Sequence, residues 1–415
     1  MPQYSRTKQP KNSSKKLNLM FGRKHFIGLV VVCILVIGAV FFWPRLSSTS
    51  LSTDSDKKKL SNTTKKYVRI LASGDTIAHD ALNAQAKKSD GSYNYYQFMK
   101  PMQPYFDTAD INFCNQAVPG GGTQFGISGY PVFNSPLEVA RDLNKLGCNV
   151  VNTGTNHTFD RGQAVIDAQL NYWDTLPGML AVAGANRNQT EQNTIRYFTV
   201  RGVKFAFLSY STYTNTPPAT QYGLNMYSDA TAEAQTRAAR SSADIVIVSM
   251  RWGTEYSSSI NAQQEQISQS LSDWGADVIL GHGPHVLQPV KIVSGSGGRQ
   301  TTCWYSLGNF LNAQIPIESL TNGLAIMDID IATKKIKAPE FVPIYMHYEW
   351  TADEKAREDL LKRKNFTLVP LETSASLLKK SQNNTSVGVQ TERIKKVLNQ
   401  FTTVKLVSLR DLKKL

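Results

Sequence analysis

From Tyr67 onward the chain repeats one unit: a short apolar run, a polar residue or two at its end, then a helical stripe. Apolar runs this short, bounded by turn residues, read as buried strands, and strands that alternate with helices predict an α/β or layered α+β fold. Strands are expected at 68–72, 109–114, 149–152, 179–183, 204–209, 244–250, 277–280, 303–307 and 324–331. After a Gly-rich loop, Ser135 as cap, Pro136 in the first turn and Glu138 completing a capping box predict a helix that Gly147 stops. Helices at 162–174 and 262–274 follow from Ile166, Leu170 and Trp173, and from Ile267, Leu271 and Trp274, at three- and four-residue spacing. The alternation places one domain over 67–350, with 351–415 a basic, helix-leaning appendage.

Strand ends are where such folds keep their chemistry, and here five of them, in order along the chain, carry polar groups. Asp75 follows the first strand, Asn115 and Gln116 the second, and Asn156 and His157 the third. Arg251 and Glu255 follow 244–250, and His282 and His285 follow 277–280. Two of only six histidines thus sit three residues apart at one strand end. Carboxylate, amide oxygen and imidazole nitrogen together suit Mn²⁺, Zn²⁺ or Fe. His79 reads as a solvated loop histidine, and Trp252 and Trp274 as packing residues.

The segment before the domain is of another kind. Residues 26–43 are apolar without a charge or proline, near the lower limit for a helix crossing a bilayer core of roughly 30 Å. Seven Lys/Arg and no acid precede it, so the positive-inside rule makes 1–25 a cytoplasmic tail and 26–44 a single membrane helix. Residues 45–66 form a polar linker, which places the domain outside the cytoplasm.

The net charge of +14 resolves the same way. Residues 1–66 hold 13 Lys/Arg against 2 Asp, and 379–415 hold 9 Lys/Arg against 2 acids, leaving −4 for the rest. The expected partners are therefore the membrane and an anionic polymer, not nucleic acid. Cys114, Cys148 and Cys303 match no zinc ribbon or disulfide framework and read as small core residues, with one disulfide among them left open.

The stretches from Val68 to Asp75 and Asp110 to Asn115 open a series of motifs that continues with Asn156-His-Thr-Phe-Asp160-Arg-Gly162 and Arg251-Trp-Gly-Thr-Glu255-Tyr. Gly281-His-Gly-Pro-His285-Val and Tyr305-Ser-Leu-Gly-Asn309-Phe310 complete it. In that order they resemble the CapA family of capsule and poly-γ-glutamate synthesis proteins. The family looks related to calcineurin-like metallophosphoesterases, which implies two facing β-sheets flanked by helices. The resemblance implies Asp75, Asn156, His282 and His285 as metal positions and His157, with Asp160, as the acid–base group. It implies Asn115, Arg251, Glu255, Tyr305, Ser306 and Asn309 around the substrate, with Phe310 walling the pocket.

Two departures stand out. The family commonly has Asn-Leu-Glu where this chain has Asn115-Gln116-Ala117, and His-Trp-Gly where it has Arg251-Trp252-Gly253. A lost carboxylate and a permanently protonated Arg both weaken a dication site. The resemblance implies a membrane-anchored protein that makes, exports or retains an anionic surface polymer, working with other polymer-synthesis membrane proteins. No Gly-x-x-x-x-Gly-Lys-Ser/Thr loop is present, so energy input falls to other subunits. Two alternatives stay open: a metal-dependent hydrolase of phosphoester or amide bonds, and a metal-free module gripping polymer carboxylates through Arg251.

Overall fold

Period-two alternation in the strands decides how the layers stack. In β6 (Val203–Ser211), Phe205 and Phe207 belong to the large core between the sheets, whereas Ala206 and Leu208 join a second cluster under helices. β7 (Ile245–Arg251) and β8 (Val278–His282) repeat the pattern, with Ile245, Ile247, Val278 and Leu280 facing inward and Val246, Val248 and Ile279 outward. Strands buried on both faces must be apolar almost throughout, as these are. The outer face is covered by α-helices Asp229–Ser242 and Ala262–Trp274, through Ala232, Ala239, Ile267 and Leu271.

The computed structural model describes residues 65–414; the basic tail, the apolar segment 26–44 and nearly all of the linker lie outside the described residues. Among the described residues no helix is long and apolar enough to cross a membrane. One sheet joins β1 (Tyr67–Thr76), β2 (Ile111–Gln116), β3 (Val150–Asn152) and β4 (Ala181–Ala183) in parallel. It continues antiparallel from β1 through β11 (Thr321–Asp330), β12 (Glu340–Glu349) and β13 (Lys364–Pro370), with β14 (Lys405–Leu406) beside β12. In the second sheet β6, β7, β8 and β10 (Arg299–Trp304) are parallel, flanked by antiparallel β5 (Arg196–Val200) and β9 (Val290–Gly295). Phe113 of β2 meets Phe207 of β6 edge to face with ring centres 6.0 Å apart, a direct link between the sheets. The expected mixed α/β architecture, two sheets with flanking helices, is what the chain adopts.

Three local expectations need correction. Helix Glu138–Leu146 ends at Gly147 as its left-handed φ of 118° allows, but its start is not a capping box. Leu137 occupies the cap position, Ser135 Oγ is buried without a partner among the described residues, and Glu138 Oε1 instead accepts from Tyr93 N. Residues 351–414 are not an appendage, because β13 and β14 extend the first sheet and Leu378, Ile394 and Leu398 enter the core. The buried Arg69 fixes the end of the chain: it pairs with Asp328 through two bonds of 2.7 and 2.9 Å and donates to Leu412 O.

The third correction concerns cysteine. Cys114 on β2 and Cys148, just before β3, form a disulfide with Cα atoms 5.8 Å apart, while Cys303 stays a free buried thiol. Neighbouring parallel strands bring the two together, a relation that their 34-residue separation hides. In the chain-entropy account a loop of that length contributes about 4 kcal/mol. Replacing both with Ala is expected to lower the unfolding free energy by about 2–4 kcal/mol, read from urea midpoints; an unchanged midpoint would refute the contribution.

Candidate active site

The carboxyl ends of parallel strands from both sheets converge on one cleft of about 260 Å³. Asp75, Asn115, Asn156, His157, Arg251, Glu255, His282 and His285 all line it. Asp75 sits where β1 runs against the chain after β10, with Asp75 N donating to Gly308 O and Phe310 N to Asp75 O. That approach needs glycine: a Cβ at Gly74 would lie 2.1 Å from Gly308 O.

Buried amides tie the strand ends together. Asn115 Nδ2 donates to Asp75 Oδ1 at 2.6 Å, and Asn152 Nδ2 donates to Asn115 Oδ1 at 2.7 Å. Asn152 Nδ2 also approaches His282 Nε2 at 3.1 Å, and Ser249 Oγ lies 2.9 Å from the same nitrogen. With an amide N–H aimed at Nε2, the His282 proton belongs on Nδ1, which is buried and has no partner among the described residues. Burial pushes His282 down to about 3, Asp75 opposing and Arg251 and His285 adding, so it is neutral at pH 7.

Two histidines pair with carboxylates. His157 Nδ1 donates to Asp160 Oδ2 at 2.7 Å, and Phe133 N donates to the same oxygen. This fixes the ring and leaves Nε2 as the basic nitrogen, with Asn215 Nδ2 at 3.4 Å. His285 Nδ1 lies 2.7 Å from Asp75 Oδ2 and 3.1 Å from Asn309 Oδ1, both acceptors, so it must donate. His285 adopts a left-handed φ of 63°, a strained choice for a non-glycine residue that clusters at functional sites. Burial alone raises Asp75. The hydrogen bond and charge of His285, with His282 and Arg251, outweigh that and hold the carboxyl below its ordinary range.

Arg251 is the fixed cation of the cleft. Its Nε donates to Asn156 Oδ1 at 2.7 Å, Nη1 to Trp252 O, and Nη2 to Tyr213 OH and to Glu255 Oε1. These occupy four of its five N–H groups, so the expected carboxylate clamp has one hydrogen left to offer. The guanidinium packs under the histidine loop: a Cβ at Gly283, with φ 108°, would lie 2.1 Å from Nη1.

Other expected site residues sit elsewhere. Tyr305 stacks on Trp252 and bonds Ser268, and Ser306 Oγ donates to Val286 O; both shape the loop from behind and do not line the cleft. Asn309 reaches the site through His285, and Phe310 is core. Gln116 points away, accepting from Trp173 Nε1 and donating to Gln169, because its neighbour Asn115 takes the cleft side of the strand. The family's glutamate itself falls at Ala117, which lines the cleft, so the departure from the family pattern removes a carboxylate from the site. His79 is not a solvated loop residue: it lines the cleft, and its Nδ1 accepts from Ala313 N. Ser209 and Ser249 escaped the sequence reading, though polar residues inside apolar strands were a signal; they are register partners in β6 and β7.

The donors as arranged do not fit a divalent metal. Asn115, Asn152 and Asn156 each already accept a hydrogen bond on their oxygen, and both Asp75 oxygens are engaged. Arg251 places a permanent positive charge against Asn156, one of the expected ligands. Among the described residues no group of three or more His, Cys, Asp or Glu is disposed to hold a metal ion. Elemental analysis after loading with Mn²⁺ or Zn²⁺ is expected to find well under one ion per chain; stoichiometric metal lost in Asp75→Ala would contradict this.

Fold and cleft together define a two-sheet α/β protein with a pocket built around two histidine–carboxylate pairs. Residues 69–314 match the family described as bacterial capsule synthesis protein PGA_cap, and the chain belongs to that family. It is 30% identical over 237 residues to a PGA biosynthesis protein CapA of Bacillus subtilis (strain 168), covering 55% of this chain and 57% of the relative. It is 29% identical over 217 residues to a capsule biosynthesis protein CapA of Bacillus anthracis, covering 46% and 49%. The chain thus spans about half the length of these curated relatives. Among solved structures, a phosphatase of Mycoplasma pneumoniae aligns at TM-score 0.42 and 13% identity, over 67% of this chain and 94% of that one. A protein of Thermus thermophilus aligns at TM-score 0.35 and 12% identity, over 65% and 97%.

Proposed function

We propose that this protein processes an anionic surface polymer of the capsule or poly-γ-glutamate type, outside the cytoplasm and anchored by the apolar segment 26–44. The observation that carries the reading is His157, locked by Asp160 in one tautomer at the wall of a cleft that also holds the Asp75–His285 pair. One pair can accept a proton from an attacking water or acceptor group while the other supplies one to the departing atom. The chemistry is cleavage or transfer of a link in the chain, with other membrane subunits supplying energy and polymer. Family membership supports the substrate class. The Cys114–Cys148 disulfide supports the compartment, since such bonds persist in oxidising surroundings.

In producing cells, His157→Ala is expected to change the chain length of surface polymer while protein level stays constant. Unchanged length and amount would remove His157 from the function.

A further inference from the structure

The mouth of the cleft is unlike its floor. Tyr130 and Tyr256 line it with 78% and 55% of their surface exposed. Scattered exposed aromatics are ordinary, but these two flank one opening and both are held in place. Tyr256 has a left-handed φ of 62°, its N donates to Pro284 O, its OH accepts from Gln314 Nε2, and its ring lies 5.9 Å from that of His285. Tyr130 rests edge-on against Phe133, whose ring in turn packs 4.8 Å from His157.

A cation is tied to the loop that carries Tyr130. Arg161 follows Asp160, is exposed, and donates to Ser128 Oγ on the loop that carries Tyr130. Among the described residues no carboxylate lies within 4.0 Å of it, in contrast to the guanidinium of Arg251. A positive charge without an anionic partner, tied to the loop that presents an exposed aromatic ring, suits a ligand that brings its own anion and some apolar chain.

The size of the cleft points the same way. At about 260 Å³ it falls just below the roughly 300–1,000 Å³ of pockets that enclose a drug-sized ligand. It takes one or two units of a polymer, and whatever is attached to them must cross the rim.

We propose that Tyr130, Arg161 and Tyr256 form a rim subsite for the units flanking the one in the cleft, so that the protein grips a polyanion along its length. γ-Linked glutamate fits this chemistry: its methylene stretches lie on the tyrosine faces, and a side carboxylate meets Arg161. The proposal rests on the polymer reading above and adds to it a requirement for chain length.

The test is calorimetric titration of the full-length protein in detergent with γ-linked glutamate oligomers of increasing length, from monomer to octamer, at low and moderate salt. Affinity is expected to rise at least tenfold across the series. The rise should flatten in the Tyr130→Ala/Tyr256→Ala double variant, and Arg161→Gln should lose part of the salt dependence while a thermal melt confirms folding. Equal affinity at every length, or variants that keep the full rise, would overturn the rim subsite and leave the polymer reading standing. No binding at any length would bring down the polymer reading itself. Length-dependent binding of an acidic oligosaccharide alone would overturn the assignment to γ-glutamate.

Discussion

Lowering the pH from 7 toward 4 destabilises the folded domain by about 2.7 kcal/mol per pH unit in the middle of the window, the slope for two linked protons. The groups with the largest shifts are His282 and His79, each pushed from 6.5 down to about 3, His282 by burial first and His79 by burial with Arg363 adding, and buried His347 is lowered in the same sense. Between those values the unfolded chain binds protons that the folded one refuses. The stabilisation is complete above about 6.5 and is lost as pH falls toward 3. Asp75 acts in the same sense lower down: its depressed folded value stabilises above the ordinary carboxylate range and stops doing so as it protonates. Urea unfolding at half-unit pH steps reads the slope directly. A flat profile from pH 7 to 5 would mean that neither histidine is held neutral.

Arg251→Ala should lower unfolding free energy by about 2–4 kcal/mol, from buried acceptors left without donors and the cavity left behind. Arg251 is 1% exposed, and its loss strips donors from Asn156, Tyr213 and the carbonyl of Trp252, and leaves a hole under Gly283. Lysine should not rescue it, because one ammonium cannot reproduce a planar fork that serves four acceptors. A loss below 1 kcal/mol in urea titration would show that the guanidinium is not the organiser of the site.

The alternation of strand and helix was legible because each central strand of the second sheet is buried on both faces and therefore apolar almost throughout. The cleft was legible because chemistry collects at strand ends, which brought Asp75, Asn156, His157 and His282 together in the reading and in the structure. What escaped depends on neighbours far away in sequence. Nothing local tells that Gln116 serves Trp173, that Cys114 meets Cys148, or that Tyr305 packs behind the loop. Helix Asp229–Ser242 was missed because its buried positions are alanine and threonine, too small for an apolar stripe. β12 went unseen because it carries a proline inside and charged ends.

The central claim is that His157, fixed by Asp160, moves protons during reaction on an anionic chain. The direct measurement is the rate at which new chain ends form when poly-γ-glutamate is incubated with the full-length protein and, in parallel, with its His157→Ala variant. The account predicts cleavage by the intact protein and a rate lower by about 10²–10⁴ in the variant, the usual contribution of general acid–base catalysis. Polymer that binds the intact protein but never gains ends, or a variant as fast as the original, would contradict it.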